Sequence, residues 1–284
     1  MHFDLKDVEV VVGVARQAGE LVRSMQEAGL RNIKSKTSAG DLVTEADVAS
    51  ERLIRDALAQ HYSGVGLWGE ESNTMPDTEY FWLVDPIDGT TNYAFGLDYN
   101  AVNIALQHRE QTLLGVTYQI HTGRVYYSLA GAGAIRRDAG GSETQLKVNN
   151  VVELRRALVA TGFPYHSGTS ADNNTAEFAR ITTLSGSVRC LGAAALDLAH
   201  VASGALSAFW EGWLHAWDAA PGVLFVREAG GRVTDYDGAE WTISSGPLVS
   251  SNGQSGVHDA LLAAIQDVRA GLPESLLPKK VAGA

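Results

Sequence analysis

The sequence has a single cysteine, Cys190, among its 284 residues, and 22 Lys and Arg against 33 Asp and Glu. One cysteine excludes an intramolecular disulfide framework and a cysteine-based zinc site, and it favours a reducing, cytoplasmic setting. The formal net charge of −11 argues against general nucleic-acid binding. No uncharged apolar run reaches the roughly 18–20 residues of a membrane span, and the acidic start lacks the pattern of a signal peptide. We therefore expect a soluble acidic enzyme with no membrane partner.

The overall composition suits a folded protein with a large hydrophobic core. Hydrophobic residues make up 45% of the chain and charged residues 19%, which argues against general disorder. The length predicts about two domains or one large layered unit. We expect an N-terminal α+β subdomain over residues 1–140, a C-terminal α/β subdomain over 141–270 and a flexible tail over 271–284. The glycine-containing segment Asp138–Glu143 is the predicted seam.

The spacing of apolar residues changes along the chain. Helical spacing predicts two N-terminal helices, Asp4–Leu30 and Thr44 to about Gln60. Strand-like patterns then predict an antiparallel meander, and later strands and helices alternate as in an α/β arrangement. The predicted strands are Val65–Trp68, Tyr80–Val84, Ala101–Gln107, Thr112–Ile120, Arg124–Ala130, Ala134–Arg137, Ala157–Thr161, Val188–Leu191, Ala205–Trp210, Gly231–Asp235 and Leu248–Ser251, and the later helices are 174–185, 193–203, 218–229 and 257–270.

The most informative acidic segment is Asp85-Pro86-Ile87-Asp88-Gly89, which follows an apolar strand. We expect Pro86 to end the strand and turn the chain, so that Asp85 and Asp88 face one point. The Ile87 carbonyl between them is a candidate third oxygen ligand, and such oxygen ligands suit Mg²⁺. Because each of these residue types also favours turns, an ordinary turn is the alternative interpretation.

A candidate anion site follows directly in Gly89-Thr90-Thr91. Gly89 allows the backbone to approach a ligand closely, and the amides of Gly89, Thr90 and Thr91 begin a new segment. Free N–H groups at such a start bind anions. A cation site beside an anion site points to phosphate chemistry.

Two further acidic segments, at Glu70-Glu71 and at Asp218, each follow an apolar segment. Asp47 lies at the start of a predicted helix. Strand alternation favours Glu70 pointing inward and Glu71 outward. Asp218 is predicted to be a helix N-cap, with Pro221 in the first turn, and an ionised cap can also bind a metal. Asp47 has the pattern of a capping box, which is its structural alternative to a role in a site.

These segments resemble the signatures of the inositol monophosphatase family, in the family's order and over roughly residues 5 to 268. The resemblance implies a layered α/β/α/β/α sandwich, with an antiparallel-sheet N-terminal half and an α/β C-terminal half. Pro221 stands where many members have Ala, and Asn103 where Ser is frequent. The matching motifs are Asp41-Leu42-Val43-Thr44-x-x-Asp47, Gly69-Glu70-Glu71-Ser72, Asp85-Pro86-Ile87-Asp88-Gly89-Thr90-Thr91-Asn92, Thr161-Gly162-Phe163-Pro164, Gly192-Ala193-Ala194-Ala195-Leu196, Trp217-Asp218-x-Ala220-x-Gly222 and Glu228-Ala229-Gly230-Gly231.

The resemblance also implies a role for each matching residue. Two or three Mg²⁺ ions would be held by Glu70, Asp85, the Ile87 carbonyl, Asp88 and Asp218. The attacking water would be activated by Thr90, Asp47 and Glu70. Phosphate would be bound at Gly89, Thr90 and Thr91, and the rest of the substrate at Glu211, Gly192, Ala193 and Ala194.

The implied reaction is hydrolysis of a small-molecule phosphomonoester, with sensitivity to Li⁺. Thr91-Asn92 favours inositol monophosphate as the substrate. Another sugar phosphate, such as fructose 1,6-bisphosphate, or histidinol phosphate is the alternative. A regulatory protein that binds transcription machinery is an alternative of a different class, because some bacterial relatives act in that way. We also expect a homodimer.

Overall fold

The computed structural model describes residues 3–29, 34–35, 42–165 and 167–271. The predicted tail therefore lies outside the described residues from 272 onward, as do Leu30, at the predicted end of the first helix, and Asp41. Within the described ranges the chain forms seven α-helices and three sheets. No described helix is both long enough and apolar enough to cross a membrane.

The helices lie close to their predicted positions, with one addition. The short helix α3 was not predicted, because its six residues follow the acidic motif without an apolar period. The first helix begins after Asp4, whose side chain accepts the Lys6 N–H at 2.7 Å, and ends before Gly29, whose φ is 76°. The helices are α1 (Leu5–Glu27), α2 (Glu45–His61), α3 (Thr90–Phe95), α4 (Thr175–Leu184), α5 (Ala194–Ala202), α6 (Ala216–Glu228) and α7 (Ser255–Arg269).

The larger sheet has seven strands in chain order, parallel between its first two strands and antiparallel elsewhere. The segment Asp138–Glu143, the predicted seam, turns the chain from the sixth strand of this sheet into the seventh. A separate two-stranded sheet, β1 (Lys34–Ser35) with β2 (Leu42–Val43), was not predicted. The strands of the large sheet are β3 (Gly66–Gly69), β4 (Tyr80–Asp88), β5 (Ala101–His108), β6 (Gln111–Gln119), β7 (Arg124–Leu129), β8 (Ala134–Arg137) and β9 (Glu143–Gln145).

The second sheet has five strands in the order β11-β10-β12-β14-β13. Strand β10 is parallel to both of its neighbours, whereas β14 is antiparallel to β12 and β13. The predicted strands Val188–Leu191 and Ala205–Trp210 are displaced by a few residues, and β12 includes Glu211. The strands are β10 (Leu158–Thr161), β11 (Ser187–Arg189), β12 (Ala208–Glu211), β13 (Arg232–Thr234) and β14 (Leu248–Ser251).

The layers follow from the two amphipathic sheets. Helices α1 and α2 cover one face of the large sheet, and α5 and α6 lie between it and the five-stranded sheet. Helices α4 and α7 cover the far face of the second sheet. One core, which includes Val11, Ile54 and Trp82, fills the first interface, and a second, which includes Phe81, Leu196 and Phe225, fills the middle. The predicted α/β/α/β/α sandwich is confirmed, while a division into two subdomains stays a prediction.

Candidate active site

Two parallel strands deliver the first pair of acids to one edge of the large sheet. Glu70 directly follows β3, and its N–H donates to the Val84 carbonyl at 3.0 Å, which holds it beside the end of β4. Asp85 is 3% exposed, and its carboxyl lies close enough to that of Glu70 for the two charges to interact. Two carboxylates this close repel each other unless a proton or a cation lies between them. Glu70 therefore lies beside Asp85 at this end of the sheet.

The prediction that Pro86 ends the strand is wrong. Strand β4 continues to Asp88, and its register with β5 shifts between Asp85, opposite Asn103, and Asp88, opposite Ala101. A bulge tolerates Pro86 because a residue outside the ladder needs no N–H donor there. The bulge still achieves the predicted result, since it sets Asp85 and Asp88 on one side.

The backbone of the bulge is held by local hydrogen bonds. The Ile87 N–H donates to Asp85 Oδ1 at 3.0 Å, and the Ile87 carbonyl lies 2.9 Å from the Thr90 hydroxyl. The carbonyl therefore points toward the residues predicted to form the site. Its second lone pair can accept another partner.

Asp88 connects the large sheet to the middle helices. Its Oδ2 accepts the Ala195 N–H at 2.8 Å, in the first turn of α5. Gly89 has φ of 86°, and a methyl group there would lie 3.0 Å from the Tyr99 carbonyl oxygen and 3.1 Å from that of Gly192. Only glycine combines this conformation with so close a backbone approach. This contact between residues more than 100 positions apart in the chain brings Gly192 and its neighbours to Asp88.

Asp47 combines its two predicted roles. The Thr44 N–H and hydroxyl donate to Asp47 Oδ2 at 2.8 and 2.6 Å, which forms the capping box of α2. The other oxygen, Oδ1, lies 3.2 Å from the Thr90 hydroxyl. Asp47 is fully buried. One carboxylate thus both caps the helix and contacts Thr90.

The prediction that Asp218 is the N-cap of its helix is wrong. His215 is the N-cap, and Asp218 occupies the third helical position, where its Oδ2 accepts the His215 N–H at 2.8 Å. Pro221 consequently lies inside α6 and not in its first turn. Trp217 packs edge-on against Trp68, with ring centroids 5.5 Å apart, which brings the start of α6 next to the end of β3.

The acids form one electrostatic unit. Burial, followed by the charges of Glu70, Asp88 and Asp218, raises the pKa of Asp85 well above its usual range. Burial and the charge of Asp218 raise the pKa of Asp88 in the same way, against the opposing hydrogen bond from Ala195. These raised pKa values mean that the folded chain concentrates negative charge that a cation would neutralise.

The donor atoms of this unit suit a divalent cation. Among residues 3–29, 34–35, 42–165 and 167–271, no group of three or more His, Cys, Asp and Glu side chains is already arranged to hold a metal ion. The available donors are nevertheless all oxygen atoms, and the mutual repulsion of their carboxylates is the feature that a hard cation relieves. The residues therefore fit Mg²⁺ by donor type and charge.

The predicted substrate residues lie beside this unit. Glu211 ends β12, and its carboxylate packs directly over the backbone of Gly162, where no side chain intervenes. Burial, with Asp218, Asp197 and Asp88 nearby, raises its pKa well above the usual range. Thr91 lies in the first turn of α3, and Ala193 and Ala194 are the N-cap and first residue of α5.

Asn92 holds the glycine segment in place. Its Nδ2 donates to the Tyr99 and Leu191 carbonyls, at 2.8 Å each. Gly192 has φ of 82°, and any side chain there would press against the Asn92 amide. The structure therefore brings all the predicted site residues to one region around the end of β4.

Sequence reasoning missed two buried acids next to the site. Glu51 on α2 accepts the Glu71 N–H at 2.8 Å and so holds the loop that carries Glu70. Asp197 on α5 accepts the Tyr99 hydroxyl at 2.8 Å, and burial raises its pKa to about 7. Both lie in helices with an apolar face, and an acid on that face was the only available signal.

Comparisons with known proteins show the family of this chain. The model of the "Inositol monophosphatase family" matches residues 4–270. An inositol-1-monophosphatase from Caulobacter vibrioides is 36% identical over 253 residues, covering 88% of this chain and 94% of its own. The Nus factor SuhB of Pseudomonas aeruginosa is 34% identical over 276 residues, covering 95% and 98%.

A solved structure gives the same result at the level of the fold. The inositol monophosphatase from Anabaena (Nostoc) sp. superposes with a TM-score of 0.81 at 34% identity, covering 95% of this chain and 98% of its own. Proteins of this family are phosphatases that act on small phosphate compounds and generally depend on metal ions. With a family model that covers nearly the whole chain, this protein belongs to the inositol monophosphatase family.

Proposed function

We propose that this chain hydrolyses inositol monophosphate to inositol and phosphate with the help of Mg²⁺. The observation that carries the proposal is the clustering of buried acids, in which Glu70, Asp88 and Asp218 all lie close enough to Asp85 to raise its pKa. We assign the cations, two or three in number, to these four carboxylates and the Ile87 carbonyl. When bound, such ions neutralise phosphate charge and lower the pKa of a bound water.

Thr90 and Asp47 would orient the attacking water. The Thr90 hydroxyl has one proton, and the Asp47 carboxylate and the Ile87 carbonyl both lie within reach of it. With its proton directed to either acceptor, Thr90 Oγ1 offers lone pairs to a water O–H. When the Thr90 proton is directed to Asp47, Thr90 Oγ1 can take the proton that the water loses while it passes its own proton to Asp47 Oδ1. Glu70, at the adjacent strand end, would hold the water from its other side.

The remaining residues would bind the substrate. The amides of Gly89, Thr90 and Thr91, at the start of α3, would bind phosphoryl oxygens. Glu211 would accept hydrogen bonds from hydroxyls of the leaving group. The backbone at Gly192, Ala193 and Ala194 would line the same side, where the approach of Gly192 to Gly89 places it.

The substrate assignment is supported by the matching relatives, several of which are named inositol-1-monophosphatase. Phosphate release should be measured with inositol monophosphate, fructose 1,6-bisphosphate, histidinol phosphate and an aryl phosphate at saturating Mg²⁺. We expect the highest kcat/KM for inositol monophosphate. A higher value for another ester would replace the substrate, and no release from any ester would refute the phosphatase assignment.

The metal assignment is tested by Asp88→Asn. The Asn side chain has the same volume and an oxygen that can still accept the Ala195 N–H, so we expect the fold to remain. Loss of one ligand charge should reduce kcat by roughly a hundredfold or more. Asp77→Asn, at an exposed carboxylate outside the site, is the matched control and should be fully active. Near-normal phosphate release by Asp88→Asn would contradict the proposed ligand set.

A regulatory role in transcription is a second candidate. The relatives named Nus factor SuhB match almost the whole chain, so the resemblance does not separate the two functions. A purified complex with transcription proteins, together with negligible turnover of every phosphomonoester, would favour this role. A homodimer and a cytoplasmic location stay predictions, and sedimentation analysis would test the first of them.

A further inference from the structure

Pro221 creates a defect in α6 close to Asp218. Proline has no N–H, so the hydrogen bond that residue 221 would donate to the Trp217 carbonyl four positions earlier is absent. Trp217 is 4% exposed, and its carbonyl belongs to the turn that carries Asp218. A buried carbonyl without a donor is costly, and the proline ring also pushes this carbonyl away from the helix axis.

Asn103 on β5 supplies the missing hydrogen-bond donor from outside the helix. Its Nδ2 donates to the Trp217 carbonyl at 2.6 Å and approaches the Asp218 carbonyl at 3.1 Å. Its Oδ1 accepts the Thr117 hydroxyl from the neighbouring strand β6 at 2.5 Å. Because a hydroxyl donates on one side and two carbonyls accept on the other, only one orientation of the Asn103 amide satisfies all partners. Asn103 is fully buried.

The same residue lies opposite Asp85. Asp85 and Asn103 are cross-strand partners at the start of the β4 bulge, so their side chains share one face of the sheet. Nearby, Pro221 rests on the sheet at Gly115, where a methyl group would lie 2.9 Å from the Pro221 Cα. The first turns of α6 therefore lie directly against the backbone of the sheet at Gly115, with no side chain between them.

We infer that Asn103 is a positioning residue that sets Asp218 relative to Asp85, and that Pro221 makes it necessary. The inference rests on the proposed function, in which both acids bind cations. Neither Asn103 nor Pro221 would touch the substrate. Without the Asn103 amide, the Trp217 carbonyl would have to reach another donor, and the turn with Asp218 would move with it.

A double-mutant cycle tests this inference, with Mn²⁺ binding to the substrate-free protein measured by electron paramagnetic resonance. Asn103→Ala should weaken Mn²⁺ binding about tenfold or more, the range for residues that orient metal ligands. In a Pro221→Ala background the same change should weaken binding less than about threefold, because the alanine supplies a backbone N–H that can reach the Trp217 carbonyl. Equal losses in the two backgrounds would overturn the coupling.

Two further variants separate positioning from stability. Thr117→Val keeps the volume but removes the hydroxyl that orients Asn103, so it should weaken Mn²⁺ binding in the same direction, and it serves if Asn103→Ala does not fold. Gln107→Ala is the matched control, because Gln107 is a buried amide on β5 whose Nε2 donates to the Thr112 hydroxyl at 2.8 Å. It should lower thermal stability without changing Mn²⁺ affinity. If wild-type protein binds Mn²⁺ and both Asn103→Ala and Thr117→Val bind it equally well, the inference is wrong and the proposed function stands. Absence of Mn²⁺ binding by the wild type would instead refute the proposed function.

Discussion

Replacement of Glu211 by glutamine should separate substrate recognition from the reaction itself. Glutamine has the same shape, so it fits the space over Gly162 that the Glu211 carboxylate occupies. The change also removes a carboxyl group whose pKa is raised by burial and by the charge of Asp218. We therefore expect a melting temperature equal to or above that of the wild type. Cations bound at Asp88 and Asp218 would offset the repulsion and favour the ionised form of Glu211.

The magnitude follows from the kind of hydrogen bond that is lost. A hydroxyl donating to a charged acceptor contributes about 1.5–3 kcal/mol, which corresponds to roughly 10- to 150-fold in kcat/KM. Glu211→Gln should show this loss with inositol monophosphate at saturating Mg²⁺. An aryl phosphate has no polyol hydroxyls, so its kcat/KM should be almost unchanged.

The control is Glu240→Gln, whose carboxylate is 79% exposed and pairs with Arg227 outside the site. It should leave both substrates unaffected. An equal loss on both esters would place Glu211 in the cation or folding network. No loss on either ester would mean that its carboxylate does not contact substrate, and either result refutes the assigned role.

Three other predictions concern pH, loop position and a buried ion pair. Burial lowers the pKa of His258 to about 4, so folding favours its neutral form. The unfolding free energy should therefore fall by up to about 3 kcal/mol as the pH drops from 6.5 to 4. Urea titrations at several pH values should show a smaller fall in His258→Gln. Gly69→Ala should reduce kcat about a hundredfold, because the new methyl group would displace the Glu51 carboxylate that holds the Glu70 loop. Arg269→Met should lower the unfolding free energy by about 3–5 kcal/mol, since it leaves the carboxylates of Asp172 and Glu177 buried without their cation.

Each of these has a control in the same chain. The predicted His258 slope is contradicted if the variant and the wild type lose stability in parallel between pH 6.5 and 4. Gly13→Ala lies on α1 with open space around it, so it should keep full activity and gain up to about 1 kcal/mol of stability. Arg52→Met breaks an exposed pair with Asp56 and should change stability by less than about 1 kcal/mol. A similar effect at Arg52 and Arg269 would show that burial does not govern these pairs.

The longer helices and the acidic character of the candidate site could be predicted from the sequence because both depend on local patterns. Apolar spacing is a property of neighbouring residues, and it located α1, α2 and α7 to within a few positions. The order of residue types from Asp85 to Gly89 likewise indicates oxygen ligands beside a close backbone approach. The resemblance to a family added roles for Glu211 and Gly192 that no local pattern carries.

Local patterns were misleading where tertiary structure changes the meaning of a residue. Pro86 predicts a break, but the β4 bulge places it outside the ladder, so the strand continues to Asp88. Asp218 and Pro221 predict an N-cap and a first turn, but His215 caps the helix and Pro221 lies within it. In both cases strand β5 supplies a partner that the segment does not contain: its ladder continues opposite Asp88, and its Asn103 amide donates to the Trp217 carbonyl.

The contacts missed altogether are those between residues that are distant in the chain. Asp88 meets Ala195 of α5, and Asn103 meets Trp217 of α6 across more than 100 positions. No spacing rule connects such residues, because the folding of both sheets around α5 and α6 decides which of them meet. The sequence by itself determined the longer helices, the strand-rich halves and the oxygen donors of the candidate site. Only the tertiary structure decided which buried polar groups satisfy one another, since each partner is supplied by a different layer.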